Sequence, residues 1–265
     1  MTALLVGSNT TAFLNHRSAE RQKKMQIEPN TFICADSIEV LREIPDKAFD
    51  LCLTDPPYGI DYGNAGGFSA KHGWATRRGA AEWDLQRPSG VYFSEMLRVS
   101  ESALIWGGNY FTDFLFPSMG WVVWDKGQRN FSLADAELAW YSKDKALRIF
   151  EFSRGACVAE GKHGHPTQKP IALFQWCLLN YSKPGDLIID PFCGSGTTAL
   201  ACHKTGRTFL CIDKDEEYIK IARQRYADLI AQQDLFGQNK DGAQNTSEGR
   251  GTACNSASMQ VALDI

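Results

Sequence analysis

Short apolar runs alternate with stretches of helical spacing through the middle of the chain. Thr31-Phe32-Ile33-Cys34 reads as a strand that closes just before Asp36. Ser37 to Ile44 reads as a helix, with Ile38, Leu41 and Ile44 at i, i+3 and i+6. Phe49 to Leu53 is a strand broken only by Asp50, Val91 to Val99 a helix, and Ala103 to Trp106 a strand ending in Gly107-Gly108. Trp121 to Trp124 and Glu137 to Tyr141 are two further strands. Pro170 opens a helix over Ile171 to Tyr181, at a position where its missing N–H costs nothing. Leu187 to Ile189 is a strand, Thr197 to Lys204 a helix and Thr208 to Ile212 a strand. Glu216 to Gln232 is an amphipathic helix with Ile219, Ala222, Tyr226, Leu229 and Ile230 on one face. This alternation predicts an α/β fold, a doubly wound and mostly parallel sheet with helices on both faces. Such sheets bind ligands beyond the carboxyl ends of their strands. Every distinctive motif of the chain falls at such an end.

The flanks differ from this core. Residues 1–28 are polar and weakly periodic, and residues 237–265 are rich in Gly, Ser, Asn, Gln and Ala. They are expected to be mobile tails around one domain over 29–236. No internal repeat is found. A block of that size buries a full core, and 43% hydrophobic with 22% charged residues is ordinary for a globular protein. The net charge of −3 argues against a globally basic nucleic-acid binder, so any such contact must come from local basic patches. No apolar run approaches bilayer length, and Ala3-Leu4-Leu5-Val6 is too short for a secretory signal. The eight cysteines form no C-x-x-C pair, which fits a reducing cytosol without a disulfide framework. His163 and His165 have no cysteine or carboxylate spaced to complete a metal site, and none is expected.

Two stretches carry the chemistry. Leu187-Ile188-Ile189-Asp190 runs into Gly194-Ser195-Gly196-Thr197-Thr198-Ala199, a G-x-G-x-x-A turn between strand and helix. Glycines there let the backbone turn sharply and a ligand approach closely. The next strand ends at Asp213, about 20 residues on, as where an acid takes ribose hydroxyls. The turn alone suits several nucleoside cofactors, or none. No Lys follows the second glycine, against a phosphate-gripping loop. A carboxylate at Asp190 suits an ammonium and repels phosphate. S-adenosylmethionine offers an amine, a sulfonium and a ribose without phosphate.

The other stretch is Asp55-Pro56-Pro57-Tyr58, also at a strand end. The prolines restrict the backbone and carry no N–H, leaving carbonyls free to accept. The Asp55 carboxylate and the Pro56 carbonyl are suited to hold the two hydrogens of an exocyclic amine, with Tyr58 stacking on the base. Such stacking is worth about 1–3 kcal/mol, comparable to the cost of extruding a base from a duplex. As a bare tetrapeptide the motif also fits a proline turn with a capping acid.

Together these stretches make the chain resemble the β-class amino DNA methyltransferases, in which the catalytic motif precedes the cofactor motif. Asp55 to Tyr58 matches the catalytic motif and Asp190 to Thr197, with Phe192 and Cys193, the cofactor motif. His165-Pro166-Thr167-Gln168-Lys169-Pro170 matches the segment that helps hold the methionine part, which implicates Thr167 and Lys169. Asp36, with Ser37 beside it, resembles the contact to the cofactor adenine, and Asp213 the ribose acid. Asp55 is also implied to face the cofactor. Trp106 to Tyr110 and Asn130-Phe131-Ser132 lie where the family builds the wall of the base pocket. The resemblance covers roughly 30–232. It implies a seven-stranded sheet with one antiparallel strand, S-adenosylmethionine as cofactor and DNA as substrate. Asp rather than Ser at position 55 implies adenine N6, by direct attack of the amine on the methyl group. No covalent enzyme intermediate is implied, so Cys193 is expected to pack rather than react.

The chain departs from the family in length. The span from Lys143 to His165 is short and leaves no room for a separate recognition domain, as in a phage-like short form. The segment from Gly59 to Arg87 carries Lys71, His72, Trp74, Arg77 and Arg78 among glycines. Lys71, His72, Arg77 and Arg78 are the candidate DNA contacts, for a short or relaxed target. Rival readings are a cytosine-N4 DNA enzyme, an RNA adenine enzyme, an inactive DNA-binding module and a Rossmann-type oxidoreductase. The oxidoreductase leaves Asp55 to Tyr58 without a task. A bacterial or phage-encoded cytoplasmic protein, with a restriction nuclease as candidate partner, completes the expectation.

Overall fold

The computed structural model describes residues 27–60, 86–129, 134–153, 156 and 168–241, the last nine of these as backbone only. Contacts divide the chain into Met1–Ala227 and Asp228–Ile265. The first unit carries the sheet and the site. The second begins inside the last helix, which is described to Asp241. Of the expected tails, 1–28 and 237–265, only Ile27 and Glu28 fall among the fully described residues, and Ile27 packs against the core.

Among the described residues eight strands form one sheet, in the order β1-β8-β7-β2-β3-β5-β4-β6. They are β1 Thr31–Cys34, β2 Phe49–Thr54, β3 Ser100–Trp106, β4 Trp121–Asp125, β5 Ala136–Tyr141, β6 Arg148–Glu151, β7 Leu187–Asp190 and β8 Thr208–Asp213. Only β5 runs against the rest, paired antiparallel with both β3 and β4. The sheet has one strand more than the seven expected. The addition, β6, pairs parallel with β4 at the edge. Its residues are mostly exposed, so it shows neither the continuous apolar run nor the alternation that betrays a strand.

The helices are α1 Ser37–Glu43, α2 Gly90–Val99, α3 Ile171–Tyr181, α4 Thr197–Thr205 and α5 Glu216–Asp241. Asp36 caps α1, its Oδ1 accepting from the Ile38 N–H at 3.1 Å. Because side chains alternate across a strand, the central strands feed two cores. Leu51, Leu53, Leu104 and Trp106 meet Phe174 and Leu178 of α3 on one face. Cys52, Ala103 and Ile105 meet Leu41 of α1 and Phe93 and Met96 of α2 on the other. Covering both faces leaves the carboxyl edge of the sheet as the open side. Among the described residues no helix is long and apolar enough to cross a membrane.

One turn at that edge is tight. Gly59 has φ +70°, and a Cβ on it would lie 2.8 Å from the Arg87 backbone nitrogen. Gly59 and Arg87 are therefore neighbours at this edge although 28 positions apart in sequence. Arg87 is fastened there by two hydrogen bonds to Asp113, at 2.6 and 2.7 Å, and one to the Tyr110 carbonyl.

Candidate active site

Four parallel strands end in acids, and the sheet sets them in a row. Across the order β1-β8-β7-β2 the strand ends carry Asp36, Asp213, Asp190 and Asp55. A cavity of about 830 Å³ lies along this row. Asp36, Ser37, Asp55, Pro56, Pro57 and Tyr58 line it, as do Lys169, Phe192, Cys193, Gly194, Ser195, Thr197 and Asp213. The strands thus gather into one space residues separated by more than a hundred positions.

At the β2 end, Asp55 is held from two sides. Lys169 Nζ lies 2.6 Å from Oδ2, and the Tyr58 hydroxyl donates to Oδ1 at 2.6 Å. Lys169 also donates to the Tyr58 oxygen at 3.1 Å. Its ammonium is 6% exposed and stands 3.0 Å from Glu137 Oε2, while Lys126 holds Glu137 Oε1 at 2.5 Å. Burial alone would lower Lys169, but Asp55 and Glu137 outweigh it and keep the ammonium well above its ordinary value. Burial would raise Glu137, yet Lys169 and Lys126 hold it at about 2. Burial pushes Asp55 up, against the pull of Lys169.

The Tyr58 ring is confined as well. It stacks on Tyr110 with centroids 4.8 Å apart and a 15° tilt. Gly107, at φ +69°, lies so close that a Cβ there would fall 2.1 Å from Tyr58 Cε1. Only glycine takes this backbone readily and lets the ring pass.

At the β7 end, Asp190 is 2% exposed. Its Oδ1 accepts from the Thr54 hydroxyl at 2.7 Å and from the Phe192 N–H at 3.1 Å, and its Oδ2 from the Thr198 hydroxyl. Burial raises this carboxyl to about 7. Asp190 therefore braces the cofactor turn against the end of β2, a task the sequence reading did not assign. Asp213 accepts from the Gly194 N–H at 2.8 Å and from the Asp215 N–H at 3.0 Å, fixing the glycine turn from β8. Gly196 stands at φ +81°, where a Cβ would meet Ala222 at 2.7 Å. Asp36 accepts from the Tyr92 hydroxyl at 2.7 Å, and the Tyr92 and Phe192 rings lie 5.7 Å apart.

With this geometry in place, comparison with known proteins is direct. Residues 142–224 match the N6/N4 methyltransferase family model, described as a DNA methylase. Type II methyltransferase M.HpaI of Haemophilus parainfluenzae is 27% identical over 232 residues, covering 73% of each chain. Type II methyltransferase M2.DpnII of Streptococcus pneumoniae is 27% identical over 237 residues, 72% of this chain and 87% of its own. In sequence the chain is thus similar to the amino DNA methyltransferases of the N6/N4 family. The PvuII DNA methyltransferase (cytosine-N4-specific) shares the fold, with a TM-score of 0.50 at 15% identity over 77% of this chain and 92% of that one.

The methyl donor that the sequence resemblance implies is S-adenosylmethionine. The cavity suits it. Six carboxyl groups and four cations line the space, an acid excess that favours a sulfonium and an amine over a phosphate. Gly194, at positive φ, turns the backbone at the cavity wall beside Asp213.

Of the residues expected from sequence, Thr167 lies outside the described residues, as do Lys71, His72, Arg77, Arg78 and 130–132. Gly196 caps α4 just behind the cavity wall. Trp106 is fully buried, while Gly107, Asn109 and Tyr110 reach the cavity. Among the described residues no group of three or more His, Cys, Asp or Glu is placed to hold a metal. Sequence reasoning missed Glu137, Lys126 and Tyr92. Glu137 interrupts a strand whose other residues are mostly apolar, and that is the one signal it offered.

Proposed function

We propose that this methyltransferase modifies the exocyclic N6 of adenine in DNA, on a base drawn out of the duplex. The observation that carries the reading is the Asp55 carboxylate, fixed by Lys169 and Tyr58 at the open end of β2 and facing the same cavity as the glycine turn. An exocyclic amine is a weak nucleophile because its lone pair is delocalised into the ring. Asp55 accepts one of its N–H groups and the Pro56 carbonyl the other, orienting the lone pair. The Tyr58–Tyr110 stack provides the aromatic wall against which an extruded base rests. S-adenosylmethionine supplies an electrophilic methyl group. Asp36, Tyr92 and Phe192 hold its adenine, Asp213 its ribose, and the turn from Gly194 to Thr197 its methionine end, while Lys169, spent on Asp55 and Glu137, braces the acid instead. An acid paired to an ammonium acts chiefly as a hydrogen-bond acceptor, and Cys193, buried with its thiol pushed up by burial, takes no part in bond making.

Asp at position 55 supports adenine over cytosine, through the family resemblance. Mass spectrometry of nucleosides from DNA treated with the enzyme should show N6-methyladenine. N4-methylcytosine, or methylation confined to RNA, would overturn the base assignment and leave the methyltransferase itself intact. Asp55→Ala should lose transfer by about 1,000-fold or more while still binding the cofactor. The type II relatives support a bacterial cytoplasmic role beside a restriction nuclease, to be tested by protection of host DNA from cleavage.

A further inference from the structure

We propose that Glu137 is a positioning residue for methyl transfer: it holds Lys169 against Asp55, and so sets where the Asp55 carboxylate stands and how strongly it accepts the amine. This rests on the reading of Asp55 as the amine acceptor. The four charges form an alternating chain. Lys126 meets Glu137 at 2.5 Å, Glu137 meets Lys169 at 3.0 Å, and Lys169 meets Asp55 at 2.6 Å. Two cations and two carboxylates sum to zero, so the cluster is neutral as a unit.

Lys169 explains why a second acid is needed. Its ammonium is nearly buried, and a buried cation with incomplete partners is costly. It has three hydrogens. Asp55 and the Tyr58 oxygen each accept one, and Glu137 Oε2, buried and without a hydrogen bond of its own, lies 3.0 Å from the ammonium as its second counter-ion. Strand direction makes this possible. Because β5 runs antiparallel, its first residues lie at the carboxyl edge of the parallel strands, with Glu137 in register with Trp124. Glu137 therefore approaches Lys169 from the strand system opposite to β2, and the ammonium is fixed between two anchors.

The second acid also tunes the first. With Asp55 as sole counter-ion, Lys169 would draw all its charge toward Asp55 and weaken it as an acceptor. Sharing the cation with Glu137 leaves more proton affinity on Asp55. The titratable groups facing Asp55 are Lys169, Tyr58 and Glu137, with Asp190 on the neighbouring strand.

The test uses the full chain, S-adenosylmethionine and DNA. Glu137→Gln keeps shape and removes charge. Its kcat should fall about 10- to 100-fold, with cofactor binding and KM for DNA within about threefold. Glu137→Asp should recover part of the loss. The acidic limb of kcat against pH reports the essential base in the bound complex. Removing a nearby negative charge lowers Asp55, so this limb should move to lower pH in Glu137→Gln. A merely structural role would cost stability and leave the limb in place. Wild-type kcat with an unmoved limb in Glu137→Gln overturns the proposal. If that variant fails to fold, Lys126→Met serves instead: loss of a cation should move the limb to higher pH, and an unmoved limb overturns the proposal equally. Asp55→Ala runs alongside. If it is inactive, a normal Glu137→Gln sinks only the positioning role; if it is active, the amine-acceptor reading fails first.

Discussion

Replacing Gly107 with alanine should disable transfer while the chain still folds. Gly107 sits at φ +69°, a region that costs a residue with a Cβ roughly 1–2 kcal/mol. The new methyl would lie 2.1 Å from Tyr58 Cε1 and 2.7 Å from Cζ. Carbon atoms rest at about 3.5–4.0 Å, so the ring must retreat by about 1.4 Å. That retreat is opposed by Tyr110, stacked at 4.8 Å, and by Phe111, edge-on at 6.1 Å. It also pulls the phenol from Asp55, to which it donates at 2.6 Å. Misplacing a reacting group by about 1 Å costs on the order of 100-fold, so kcat should drop at least that much. The backbone cost should lower Tm by only about 2–8 °C. The assay is single-turnover transfer of a tritiated methyl group to DNA, with calorimetric cofactor affinity as control. The glycine turn is separate from Gly107, and Kd for the cofactor should stay within about threefold. A kcat within twofold of the unaltered enzyme would refute the claim that this contact fixes Tyr58.

Asp190 should make stability pH-dependent. Its folded pKa of about 7 lies above the ordinary 3.8, so the folded state binds the extra proton. The resulting stability is fully present below about pH 4 and is lost as pH rises through about 7, by at most about 1.4 kcal/mol per pH unit. Urea midpoints of the native enzyme and Asp190→Asn should therefore diverge across that window; parallel curves would count against it. The Cys193 thiol, buried and raised, should resist N-ethylmaleimide in the folded protein while exposed Cys34 reacts, and equal labelling rates by peptide mapping would contradict this. Replacing Lys71, His72, Arg77 and Arg78 together by alanine should weaken DNA binding at any sequence. The slope of log K against log salt should flatten by about 3, one unit for each lost Lys or Arg, and an unchanged slope would remove these residues from the interface.

The central strands were legible because burial on both faces writes them as apolar runs. Phe49 to Leu53 and Ala103 to Trp106 are such runs, and both are strands. Arg148–Glu151 was not legible, since an exposed edge strand is under no such demand. The row of acids could be read one motif at a time, each as a carboxylate after a strand, but its spatial order depends on strand pairing. Glu137 shows the limit most clearly. A lone acid at a strand start usually faces solvent, and only the reversed direction of β5 brings it to Lys169. Thr54 and Thr198 read as an ordinary strand end and helix start, and their shared hold on Asp190 is a purely tertiary fact.

The meeting of Gly59 and Arg87 bears on how much change the chain tolerates between them. The segment between them begins and ends at one point, pinned by Asp113 and by contact of the two backbones. To the sheet beneath, any segment there is only a ring to be closed. Doubling its length costs about 0.6 kcal/mol in closure entropy, less than a single buried methylene. Insertions, deletions and whole exchanges can therefore accumulate between 60 and 86 without a toll on the strands that carry the chemistry. The junction is a natural splice point, at which one segment can be exchanged for another above an unchanged catalytic edge.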